Sequence, residues 1–90
     1  MQYMIVERFK DQDPVFVYRR YRDHGRLAPE GLRYISGWVD EQLECCFQLM
    51  ETPNPKLLDE WISHWSDLVE FDVYPVISSE EAIERLSLRL

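Results

Sequence analysis

Four polar residues, Glu7, Arg33, Gln48 and Asp72, each interrupt a segment otherwise rich in strand-forming apolar residues. Gathered in an apolar enclosure, such carboxylates, guanidinium and amide can bind and polarise a small carbonyl or phenolic ligand. Glu7 would then act as the base if burial lifts its pKa. The plainer reading is a structural ion pair of Glu7 or Asp72 with Arg33. Trp61 and Trp65, four apart, either close one end of a pocket or anchor the core with their large apolar area. His24 and His64 have no second imidazole or cysteine at ligand spacing, so no metal site is expected. Cys45 and Cys46 are adjacent, and in a strand they face opposite ways, which predicts reduced packing residues rather than a bridge or a metal grip. Arg19, Arg20, Arg22 and Arg26 would make an anion-binding strip, but Asp23 interrupts it, which favours a solvated face. No glycine-rich phosphate loop, nucleophile elbow or zinc signature occurs, and nothing calls for a cofactor.

The elements that must position these groups follow from pattern. Residues 2–9 alternate with a period of two, a strand signal. Asp13-Pro14 predicts an N-cap and first helical position, opening a helix that Gly25 ends. Leu32 to Asp40 and Leu43 to Glu51 read as a hairpin about Glu41-Gln42, which places Trp38 opposite Cys45, Ser36 opposite Phe47 and Tyr34 opposite Leu49. Pro53-Asn54-Pro55 opens a second helix over about 55–66, with Leu58, Trp61, Ile62 and Trp65 on one stripe. Val69 to Tyr74 alternates as a fourth strand, with Pro75 at its end or on an edge. Ser78 and Glu81 have capping-box spacing, and a last helix follows. Right-handed crossovers turn this order into a ferredoxin-like βαββαβ sandwich, an α+β single domain over residues 1–90, with an appended C-terminal helix.

Ninety residues, 46% of them apolar, suffice for one core that burial in a second copy would help. The net charge of -7 disfavours nucleic acid and anionic membrane as partners. It is unevenly placed, +2 over residues 1–39 and -9 over residues 40–90. Met1 to Val6 is too short for the apolar region of a signal peptide, and no apolar run approaches the ~18 residues of a membrane span, so a cytoplasmic protein is expected.

With both main helices on one face of the sheet, the other is left open. An unpaired buried polar group costs about 1 to 3 kcal/mol, so Glu7 and Gln48 are expected to point away from the helices. Parity then assigns Tyr3, Ile5, Glu7, Phe9, Arg33, Ile35, Gly37, Val39, Cys46, Gln48, Met50, Asp72, Tyr74 and Val76 to the open face. Val6, Tyr34, Trp38, Phe47, Leu49, Phe71 and Val73 are left beneath the helices. So apolar an open face predicts a homodimer formed sheet to sheet, with Glu7, Arg33, Gln48 and Asp72 enclosed as a ligand-binding cluster.

The pieces Leu32-Arg33-Tyr34, Ser36-Gly37-Trp38-Val39, Cys46-Phe47-Gln48-Leu49-Met50-Glu51, Trp61 to Trp65 and Asp67-Leu68-Val69-Glu70-Phe71 resemble a small bacterial family known as domain of unknown function 3303. The resemblance implies the dimeric α/β barrel superfamily, which contains cofactor-free monooxygenases, isomerases, decarboxylases and non-enzymatic ligand-binding modules. It implies no substrate, and no catalytic motif of those enzymes matches position by position. Two function classes stand: a homodimer that binds a small, partly apolar molecule or serves a structural role, and a cofactor-free enzyme using the same cavity.

Overall fold

The computed structural model describes residues 1–90. Strands β1 (Gln2–Phe9), β2 (Arg33–Val39), β3 (Cys45–Glu51) and β4 (Val69–Val76) form one antiparallel sheet in the order β2-β3-β1-β4. Helices α1 (Val15–His24) and α2 (Lys56–Ser63) connect them, and α3 (Ser79–Leu86) follows β4. This is the strand order a ferredoxin-like arrangement requires. No helix is long and apolar enough to cross a membrane.

Local chemistry sets the helix starts. The Asp13 Oδ1 accepts the Val15 N–H at 2.9 Å and the Asn54 Oδ1 accepts the Lys56 N–H at 3.1 Å. Each satisfies a donor the first helical turn leaves orphaned. Both helices begin one residue later than expected, with Pro14 and Pro55 as the N-caps. The Ser78 Oγ accepts the Glu81 N–H at 3.1 Å, the expected cap of α3.

The hairpin departs from expectation in two ways. Asp40 and Cys45 close it, the Asp40 N–H donating to the Cys45 carbonyl at 2.9 Å, so the loop holds Glu41 to Glu44 rather than two residues. The Asp40 Oδ1 fixes that longer loop by accepting the N–H groups of Glu44 and Cys45 at 2.8 and 2.7 Å. Trp38 therefore lies opposite Phe47 and Ser36 opposite Leu49, two residues from the expected register. A bulge between Tyr34 and Ser36 then flips the start of β2, setting Tyr34 opposite Met50 and Arg33 opposite Glu51.

The face assignment needs correction for β1, β3 and most of β2. Tyr3, Ile5, Glu7, Phe9, Gln48 and Met50 are buried beneath the helices, not on the open face. Gly37, Val39 and Cys46 share their side by register. Val6, Trp38, Phe47 and Leu49 take the open face instead, whereas Asp72, Tyr74 and Val76 lie there as expected. The inversion has one cause. The parity assignment treats Glu7 and Gln48 as unpaired polar groups, and they are paired: no buried side-chain nitrogen or oxygen lacks a hydrogen-bond partner.

The core gathers at the α2 end of the sheet, where Leu58, Trp61 and Trp65 meet Tyr3, Ile5, Leu32 and Met50. Trp61 packs edge-on to Phe71 at 5.7 Å between ring centroids. Helix α1 buries no residue, and neither does α3. The Cα radius of gyration is 14.9 Å, against about 12 Å for a compact chain of this length. The elongation matches an α3 whose Ile83 stays 61% exposed.

Candidate functional site beneath the first helix

Because α1 stands off the sheet, a cavity of about 220 Å³ remains between them. Its walls are Phe9, Val17, Tyr18, Tyr21, Tyr34, Trp61 and Trp65, and its polar groups include Glu7, Cys46, Gln48 and Arg26. The helix is held at this distance chiefly by ions. Arg20 spans Asp67 with two hydrogen bonds of 2.8 and 2.7 Å, donates to the His64 carbonyl at 2.7 Å and lies over the Trp65 ring. A single edge contact between Phe9 and Tyr18, centroids 6.1 Å apart, closes one end.

Glu7 is 5% exposed and Gln48 8% exposed, both on central strands. The Gln48 amide Nε2 donates to the Glu7 carboxylate, and its Oε1 accepts from the Arg26 Nε at 3.2 Å. Burial pushes the Glu7 pKa up, against the opposing pull of hydrogen bonds from Gln48 and Cys46 and the charge of Arg26. Directly opposite on β3, the Cys46 thiol is pushed up to about 12, first by burial and then by the Glu7 charge. That thiol is a poor nucleophile and a suitable donor to its neighbour. Arg26 reaches Glu7 only through Gln48, so the carboxylate has no direct ion pair.

Arg26 belongs to the loop after α1, bracketed by left-handed Gly25 (φ 73°) and Leu27 (φ 61°). Its carbonyl accepts the indole N–H groups of Trp61 and Trp65 at 3.0 and 2.9 Å. Its guanidinium carbon lies 3.7 Å from the Tyr34 ring centroid and 5.3 Å from that of Tyr21. The Tyr34 ring passes over Gly37, where an added Cβ would come within 2.9 Å of the tyrosine hydroxyl. The Ser36-Gly37 step thus lets the aromatic shelf under Arg26 form.

Of the four residues singled out from sequence, the structure brings together Glu7 and Gln48. Arg33 donates to Glu51 at 2.6 Å and Asp72 pairs with Arg8, both on the opposite side of the sheet. Arg26, Tyr18, Tyr34 and Cys46 complete the site, and the sequence pattern does not single them out. It groups Arg26 with the solvated arginines of α1. The available signal is its place after the helix-stopping Gly25, which removes it from the wet face. Cys45 and Cys46 are free, and no three His, Cys, Asp or Glu side chains converge to hold a metal ion.

A family model described as Domain of unknown function (DUF3303) matches residues 1–88. The chain belongs to this family. No curated protein and no solved structure matches the chain. The cavity of this DUF3303 chain must therefore be read from its own geometry.

Proposed function

We propose that this protein binds a small, partly apolar molecule in the cavity beneath α1, its polar end at the cluster of Glu7, Gln48 and Arg26. The observation that carries this reading is a helix with no fully buried residue, whose Val17, Tyr18 and Tyr21 overlook a cavity floored by a buried carboxylate and amide. An apolar helix side needs cover, and a ligand supplies it. A fragment screen by thermal shift tests this, since a ligand at about a hundred times its Kd adds about 2.7 kcal/mol. Val17→Phe, which fills the cavity, should abolish the shift, while Leu49→Ser on the other face should leave it. No hit among single-ring compounds refutes the reading.

A second reading is cofactor-free catalysis with Glu7 as general base. Its support is that Glu7 has neutral partners and no direct counter-charge, so it can take a proton without breaking an ion pair. Turnover lost in Glu7→Gln with ligand binding retained would establish it.

We further infer a homodimer through the open sheet face, in the sheet-to-sheet manner of the dimeric α/β barrel superfamily. Trp38 is 63% and Tyr74 52% exposed there, and the Arg8–Asp72 and Arg33–Glu51 pairs flank the apolar strip. An apolar centre with a charged rim suits an interface. A cytoplasmic setting suits the two free thiols.

A further inference from the structure

The flat guanidinium of Arg26 is held on every side except one. Its backbone is fixed by two tryptophan indoles, its Nε by Gln48, and its face by Tyr34. Its terminal nitrogens, Nη1 and Nη2, donate to no protein acceptor, and the residue lines the cavity. A guanidinium with Nε occupied and both terminal nitrogens free is a fork of the right geometry for one carboxylate. These contacts order the side chain ahead of binding, which lowers the entropy cost a ligand would otherwise meet.

Resting on the binding reading above, we propose that the cavity takes a single-ring aromatic carboxylate, its carboxylate seated on the terminal nitrogens of Arg26 and its ring among Tyr18, Trp61 and Trp65. Size supports one ring: an apolar cavity of about 150 Å³ holds benzene, and this one is about 220 Å³. Charge supports a monoanion. Arg26 is the one cation at the cavity and burial favours the neutral form of Glu7, so a single negative charge is matched and a phosphate dianion would lack compensation.

The test is calorimetric titration of the full chain with benzoate, benzamide and inorganic phosphate. Benzamide keeps the ring and planar shape of benzoate but not its charge. Benzoate should bind about tenfold or more tightly than benzamide, the difference expected when a charged hydrogen-bonded pair replaces a neutral one. Phosphate should not bind. Arg26→Gln should erase the preference for benzoate over benzamide, and Arg26→Lys should restore part of it. Benzamide binding as well as benzoate in the unaltered chain overturns the carboxylate assignment and leaves the binding reading standing, a comparison that needs no variant to fold. An undiminished preference in Arg26→Gln overturns the role of Arg26. If neither ring compound binds, the cavity reading and this assignment fall together.

Discussion

Replacing Glu7 with glutamine removes a titratable group whose burial is only partly compensated, and the consequence is a pH signature with a fixed sign. The folded-state pKa of Glu7 is raised above its ordinary value of 4.5. Stability contributed by the protonated carboxyl is therefore fully present below about pH 4.5 and is lost as pH rises through the folded value. Between those two points the folded chain holds a proton the unfolded chain has released, and stability falls by about 1.4 kcal/mol per pH unit. The Glu7→Gln variant keeps a hydrogen-bonding partner for Gln48 and lacks the titration. The stability of Glu7→Gln minus that of the parent should thus climb with pH from about 4.5 at up to that slope, then level off, the plateau height measuring the shift. Asp23, Asp40, Glu51 and Asp67, whose pKa values are lowered by arginine pairs or backbone N–H groups, give the opposite trend and cancel in the difference. Urea denaturation at several pH values from about 4 upward provides the assay. A difference that is flat or falls with pH would show that Glu7 is not buried at the cavity floor.

Trp61→Ala should cost about 3 to 5 kcal/mol, since the ring is 1% exposed, and lower Tm by more than about 12 °C; exposed Glu60→Ala should move it by a degree or two. Trp61→Phe, which loses the indole N–H and part of the buried ring area, should cost less than Trp61→Ala, because a ring remains in the core and the Arg26 carbonyl keeps Trp65 as a donor. Cys46, with its thiol pushed up to about 12, should carry about a thousandfold less thiolate at pH 8 than in the unfolded chain, and thiol labelling should be correspondingly slow until urea is added. If the open face joins two copies, sedimentation should give twice the chain mass, and Leu49→Asp should halve it by burying a charge without a partner.

Element order was legible because the signals are local. Alternation in residues 2–9, the Asp-Pro and Asn-Pro starts, and Ser78 with Glu81 act within a few residues, and each element lies within one to three residues of its expected place. Sheet faces were not legible by the same means. Parity says which residues share a side, and it cannot say which side meets the helices when both are apolar. Phe47, Leu49 and Val6 are as apolar as Ile5, Phe9 and Met50, so the choice falls to Glu7 and Gln48. Rules about buried polar groups mislead where two such groups satisfy each other. The β2 bulge at Ile35 is equally hidden, since nothing in Tyr34-Ile35-Ser36 marks an extra residue.

The site's own cost points to what it is for. The cavity of about 220 Å³ opens to solvent on one side, so its cost is not that of an empty core void but of the wall contacts that a helix laid flat on the sheet would make. The chain leaves those contacts unmade. It keeps the space instead by suspending α1 on Arg20 and Asp67 at the helix's outer edge and by threading the Arg26 loop across the tryptophans. Those contacts are polar and peripheral, so they hold α1 without collapsing it onto the sheet. Filling the space with apolar side chains would be more stable, and a carboxylate, an amide and a guanidinium there suit the proposed ligand-binding floor better than they suit a core.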